Sequence, residues 1–326
     1  MITETTMLYL YVETPLHAGT GSGLSSIDLP IQRERTTQYP MIQGSSIKGK
    51  LRSVAEEVFK GDPATVNTLF GPPATGSSDH AGALIIGDAR ILLFPVRSLN
   101  GVFAYTTSYD VLNRFKRDIE RGRTTQPLSW DVPSPVEKAL VTTSSDLHSK
   151  NQMVLEEFSF ETQADKQVDT IAKWIAKNTL PPMGTTTYWS NKIQTSLAIL
   201  PDDDFRDFAL YATEIITRIR LDRQKKTVER GALWTEEHLP TDTLLYVPVY
   251  ATDARLNGKT GTQMTASEII AKARAMNAAS NNYLQLGGDE TVGRGIVRIH
   301  WETHNNSQSS EDTEEKASDR ANESTN

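Results

Sequence analysis

An α+β fold built on a ferredoxin-like sheet is the architecture this sequence predicts. Three observations carry it. Short β-rich runs alternate with helical patterns along the chain, the first unit reads strand, long loop, helix, and the last reads strand, Gly-rich loop, strand. At 326 residues the chain exceeds the usual single-domain length, so one large domain with insertions is expected over 1–302, with a polar tail over 303–326.

Residues 7–12, Met-Leu-Tyr-Leu-Tyr-Val, form the first β-rich run and lead into a loop containing His17, Gly19, Gly21 and Gly23. After Gly44 a helix is expected, with Ser45 and Ser46 as N-cap candidates and Ile47, Leu51, Val54, Ala55 and Val58 on one face. Residues 81–95 read as a buried strand pair bent at Gly87-Asp88, residues 102–105 extend the sheet, and Asp110 caps a helix reaching Ile119. Apolar residues at helical spacing predict helices over 163–178 and 202–216, and a shorter one over 266–276. Residues 217–222 and 227–234 alternate around the polar turn 223–226, which predicts a projecting hairpin within about 217–246. Residues 284–286 and 296–299 close the domain as strands.

Composition narrows the function. The 37% hydrophobic and 23% charged residues are those of a folding, soluble chain. No apolar run approaches the roughly 18–20 residues that span a bilayer, and the N-terminus lacks a signal-peptide pattern, so no membrane partner and a cytoplasmic location are expected. The absence of cysteine excludes disulfides, thiolate metal sites and thiol nucleophiles, and six scattered histidines argue against a dedicated metal cage. A net charge of −7 excludes generic polyanion binding, so any nucleic-acid contact must be local. Segment 303–326 carries six acids against two bases and no large apolar side chain, which predicts a disordered tail with −4 of that charge.

Three constellations can carry chemistry. Lys48 lies in the first turn of the 44–58 helix, where the macrodipole is already positive; with an anion present, that turn, the Ser45 and Ser46 hydroxyls and the Lys48 ammonium make a phosphate site, with Arg52 one turn on. A solvated basic face is the alternative. Residues 286–295 hold Gly287, Gly288, Gly293 and Gly295 with Arg294 between the last two. They lack the Gly-Lys-Ser/Thr ending of a P-loop and precede a strand, which disfavours nucleotide binding and leaves either a backbone that approaches a phosphodiester chain or a plain turn. His17 and Asp28 flank the loop after the first strand, and Glu236, Glu237 and His238 follow the hairpin; taken singly, each reads more readily as a turn or structural residue than as a functional one.

In order along the chain, Thr14-Pro15-Leu16-His17-Ala18-Gly19 with Asp28 and Gln32-Arg33-Glu34, residues 42–52, Leu69-Phe70-Gly71, Gly87-Asp88-Ala89 with residues 94–98, Gly231-Ala232-Leu233-Trp234 and the final Gly-rich loop resemble one family. It is the backbone subunit of the type III-B CRISPR effector, the Cmr complex, in the repeat-associated mysterious protein (RAMP) superfamily; Gln43 and Lys50 depart from its usual pattern. The resemblance runs from about Met7 to Ile299. It implies an RRM-like palm with inserted helices and a protruding hairpin thumb, stacked with copies of itself and other effector subunits along a CRISPR guide RNA. It further implies that Ser45, Ser46, Lys48, Arg52 and the Gly-rich loop hold guide phosphates and that target single-stranded RNA is cut at regular intervals. Asp28 matches the residue on which cutting depends, and His17 and Glu236 match accessory positions, with Glu237 an alternative to Glu236. Asp28 would serve as base or as ligand to a divalent cation such as Mg²⁺. Readings that stay open are a non-cutting scaffold of the same complex and the related type III-A backbone subunit.

Overall fold

The structure, a computed structural model, describes residues 2–21, 26–73, 81–121, 128–181, 186–222, 224–225, 227–255 and 262–302. The expected tail over 303–326 lies outside them.

Strand β1 (Glu4–Val12) is apolar at nearly every position because both of its faces are covered. Leu8, Leu10 and Val12 face a layer made by α1 (Gly44–Val58) and α7 (Ala266–Ala279). Met7, Tyr9 and Tyr11 face α3 (Tyr109–Glu120) and α4 (Lys166–Asn178). Around β1 the order is β15 (Ile296–Trp301), β1, β13 (Leu244–Ala251), then β3 (Leu84–Ile86) and β4 (Ala89–Arg97), every pair antiparallel. In this arrangement α1 links β1 to β3 and β4 with β13 between them, and α7 links β13 to β15 with β1 between. Two split β-α-β units interleaved in this way are the expected ferredoxin-like palm.

The palm's sheet continues past β4 through β5 (Phe103–Ser108), β10 (Leu197–Leu200), β6 (Ala139–Val141), β9 (Phe158–Ala164), β8 (Gln152–Leu155) and β7 (His148–Ser149). The short β2 (Met41–Ile42) pairs β4, and the helices α2 (Pro63–Phe70), α5 (Thr186–Ser196) and α6 (Asp202–Tyr211) pack around this frame. The hairpin is β11 (Glu214–Leu221) with β12 (Val228–His238), a two-stranded sheet of its own. Among the described residues no helix is long and apolar enough to cross a membrane.

Several local expectations are corrected. Gln43, with no side-chain bond, is the N-cap of α1, and Ser45 and Ser46 lie inside its first turn; the Asp88 carboxylate takes the cap's place by accepting from Gly44 N at 2.8 Å. A Cβ on Gly44 would fall 2.5 Å from the Ile86 carbonyl oxygen, so the helix meets the β3–β4 break at glycine-only distance. Strands β3 and β4 do not pair with each other; they lie end to end along β13, interrupted at Gly87-Asp88. Ser108 caps α3 by accepting from Val111 N, two residues before Asp110, the expected cap. Helix α4 starts at Lys166 because Gln163 belongs to β9, and α6 stops at Tyr211 because Ile216 is drawn into β11 by its pairing with Glu236. The hairpin ends at His238, and residues 244–246 are central palm strand.

Candidate active site and RNA interface

The base of the hairpin, the loop after β1 and the loop after β14 (Tyr283–Gln285) meet at one place. Leu16 and Leu239 exchange backbone hydrogen bonds at 3.0 and 2.8 Å, and this fastens the end of β1 beside β12. Two residues of β12 then hold two expected site residues. His17 Nδ1 lies 2.7 Å from the Glu237 carbonyl oxygen, so Nδ1 carries the proton and Nε2 is left as an acceptor. Asp28 Oδ2 accepts from Thr235 N at 2.8 Å and from Thr235 Oγ1 at 3.0 Å, while Asp28 N donates to Thr235 Oγ1 at 3.0 Å. The hydrogen bonds from Thr235, its backbone N–H first, hold the Asp28 carboxyl below the usual carboxylate range. Asp28 is exposed, and its Oδ1 meets no donor among the described residues.

Alternation along β12 separates the two glutamates left open by sequence. Glu237 points inward, 2% exposed, where it accepts from Ile31 N at 3.0 Å and Thr213 Oγ1 at 2.9 Å and pairs with Arg33. It is a structural tie. Glu236 and His238, two residues apart, share the opposite face and meet Asp289 from the Gly-rich loop. Arg218, across the hairpin, spans the two carboxylates, with Nε 2.9 Å from Glu236 Oε2 and Nη2 3.0 Å from Asp289 Oδ2; Trp234 Nε1 donates to Glu236 Oε1 at 2.7 Å. Burial works against the Asp289 charge, yet hydrogen bonding with Glu236 and the Arg218 guanidinium hold its pKa below the ordinary value. His238 is fully buried, and neither ring nitrogen has a hydrogen-bond partner among the described residues. Burial, then the neighbouring His17 and Arg294, push its pKa below 6.5 and keep it neutral.

The glycines of the 286–295 loop serve two purposes. Gly287 and Gly295 adopt positive φ, and a Cβ would fall 2.2 Å from the His17 carbonyl oxygen and 1.9 Å from that of Leu286. Both are therefore demanded by contacts within the protein. Gly288 and Gly293 are exposed, with no backbone within contact distance of an added Cβ, and half-buried Arg294 lies beside them.

At the start of α1, Ser46 and Ile47 direct their N–H groups to the Gln43 carbonyl, so the expected set of converging amide donors is largely spent inside the chain. The exposed Ser45 and Ser46 remain, with Lys48. Lys48 has no carboxylate partner among the described residues, and burial followed by the Arg52 charge lowers its pKa. Arg52 itself is committed to the Gly71 carbonyl oxygen at 2.9 Å and Glu56 at 2.9 Å. The 32–34 motif holds this interface to the rest: Gln32 bridges Gly19 O and Gln43 N, Arg33 reaches Glu237 and the Ala209 carbonyl, and Glu34 takes a two-pronged bond from Arg114. Lys50 reaches Glu290 at 3.9 Å, so α1 borders the Gly-rich loop.

Sequence reasoning quoted His238 and Asp289 without assigning them a role and passed over Arg218. The signal was present for one: Glu-x-His on a strand puts both side chains on one face. Arg218 and Asp289 required the tertiary structure.

Comparison with known proteins shows the family. The sequence model of the RAMP superfamily matches residues 9–298. The CRISPR system Cmr endoribonuclease Cmr4 of Pyrococcus furiosus is 41% identical over 290 residues, which cover 89% of this chain and 93% of that protein. The crystal structure of oligomeric Cmr4 from the same organism has a TM-score of 0.70 at 34% identity, covering 93% of this chain and 100% of that one. A chain in the cryo-EM structure of the type III-B Cmr-beta complex bound to cognate target RNA shares the fold, with a TM-score of 0.68 at 23% identity over 92% of this chain and 98% of that one. The chain belongs to the RAMP superfamily and, within it, to the Cmr4 family of type III-B CRISPR subunits.

Proposed function

We propose that this protein is a guide-RNA-binding subunit that stacks with its own copies in a type III-B effector and cuts RNA complementary to the guide. The observation that carries the reading is Asp28: an exposed residue whose carboxylate accepts two bonds from Thr235 through Oδ2 and whose backbone N–H donates a third, with no side chain of the described residues bonded to Oδ1. A residue so held is positioned for chemistry on something that arrives from solvent. Family membership supports the substrate class.

RNA carries its own nucleophile. The 2′-hydroxyl oxygen bonds to the adjacent phosphorus, the P–O5′ bond breaks, and the products are a 2′,3′-cyclic phosphate and a 5′-hydroxyl. The 2′-hydroxyl proton passes to a base, and the 5′ oxygen takes one up. Asp28 Oδ1 is placed to accept or relay the first proton, and His17, with Nε2 free as an acceptor and the ring fixed through Nδ1, assists at the same place. Glu236 orients Arg218 and Trp234 at the hairpin base. A single exposed carboxylate fits a hard cation such as Mg²⁺ that keeps most of its waters and shares RNA phosphate, and such an ion would supply charge stabilisation. Lys48, with the Ser45 and Ser46 hydroxyls, holds guide phosphate; Gly288, Gly293 and Arg294 border the same path. Arg52 contributes only the packing of α1.

The test is a complex reconstituted with guide RNA and offered labelled complementary RNA and Mg²⁺. Asp28→Asn is expected to assemble and capture target normally while cutting on the order of 10²- to 10⁴-fold more slowly. Equal cutting by both proteins makes Asp28 a turn residue and returns the chain to a scaffold role.

A further inference from the structure

The cluster on the far face of β12 holds more than accessory groups. We infer that Glu236, His238 and Asp289 form a binding site for a divalent transition-metal ion, with Arg218 standing in the cation's place when the ion is absent. The inference stands apart from the RNA-cutting role of Asp28.

The three side chains offer two carboxylate oxygens and an imidazole nitrogen, all within 4.8 Å of one another. His238 Nε2 lies 3.6 Å from Asp289 Oδ2 and 3.9 Å from Glu236 Oε2. Ligands set ~2.1 Å from one ion at tetrahedral angles are about 3.4 Å apart, close to the two separations from Nε2.

Carboxylates near one another are common without a metal, and here Arg218 already neutralises them. The second observation is His238. Its ring is fully buried, both nitrogens lack a hydrogen-bond partner among the described residues, and Nε2 is aimed at the two oxygens that Arg218 touches. A buried imidazole with two unpaired nitrogens is costly unless something binds it. Arg218 satisfies the acids and leaves the histidine unserved, whereas a metal ion would engage both acids and His238 Nε2. The surroundings keep the ring neutral, so a lone pair is available.

The ligand set selects the ion class. One imidazole with two carboxylates suits a borderline ion such as Zn²⁺, Co²⁺ or Mn²⁺ over Mg²⁺, which prefers oxygen alone.

Calorimetric titration of the metal-free full-length protein with Zn²⁺, paired with the visible absorption of a Co²⁺ complex, tests the site without reference to activity. One equivalent is expected to bind. Both His238→Phe and Asp289→Asn should weaken binding by at least about 10- to 100-fold, the loss seen even when only an outer partner of a metal ligand is removed. Asparagine tolerates the left-handed backbone at position 289, so that variant decides the matter if the buried His238 variant does not fold. Arg218→Gln should tighten binding because it removes the competing cation, and Asp28→Asn should leave it unchanged. No binding, binding indifferent to Asp289→Asn, or binding lost in Asp28→Asn overturns the site.

Discussion

Strand β1 and the hairpin strand β12 use similar residue types to opposite ends. In β1 both faces are covered, and every residue from Thr6 to Val12 is buried. Apart from a bridge between Leu29 and Glu236 at its base, the hairpin's strands pair with each other, and Ile215, Ile219 and Leu233 are 49%, 49% and 64% exposed. An isolated two-stranded sheet is marginal in water, and apolar side chains left out on one are surface kept for a partner. Stability is therefore concentrated in the palm, and contact surface in the hairpin. The site lies where the two meet, because only the hairpin base, through Thr235, Glu237 and Leu239, is tied to palm loops.

One truncation made in both regions tests that division. Leu10→Ala opens a cavity under α1 and α7 and is expected to cost about 2–5 kcal/mol, read as a fall in the urea midpoint at unchanged slope. A loss under about 1 kcal/mol would show that the palm repacks and is no rigid frame. At the junction, Glu237→Gln removes the charge paired with Arg33 and turns one of two acceptors, Oε2 for Ile31 N or Oε1 for Thr213 Oγ1, into a donor; about 1–3 kcal/mol should go by the same measurement. Glu236→Gln, one residue away on the cleft face, should cost less stability than Glu237→Gln. A reversed order would show the assignment of the two faces to be wrong.

Lys48→Met sharpens the comparison from the other side. The ammonium is partly buried without a carboxylate, so methionine should leave folding unchanged or slightly improved. Guide binding should weaken, and the slope of log affinity against log salt should fall by roughly 0.7. An unchanged slope assigns Lys48 to a solvated face. The smallest effect belongs to Leu233→Ala, expected to shift the stability of the isolated protein by no more than about 0.5 kcal/mol because the side chain is largely solvated. If it destabilises the monomer as much as Leu10→Ala does, the hairpin is part of the core after all.

The helix boundaries show where sequence reading stopped. Residues 202–216 carry one continuous helical pattern, yet Ile216 pairs with Glu236 across the hairpin, and a strand partner twenty residues away overrides local periodicity. Ser45 and Ser46 are good caps by type, but Asp88 from a distant strand break accepts from Gly44 first, and no local pattern reports that. The Gly-rich loop was legible as a place of close approach; what approaches Gly287 and Gly295 is the protein's own backbone.

Sequence by itself determined the α+β class, the palm strands at both ends of the chain and the hairpin, because apolar period and turn chemistry are local properties; His17 and Asp28 received their expected roles only through the family resemblance. Tertiary structure alone decided that Glu237 ties Arg33 and Ile31 while Glu236 faces Arg218, that Arg52 reaches the Gly71 carbonyl, and that Arg218 and Asp289 join His238. Each of those is a contact between segments far apart in the chain, set by strand register and loop docking, and neither is written in the spacing of neighbouring residues.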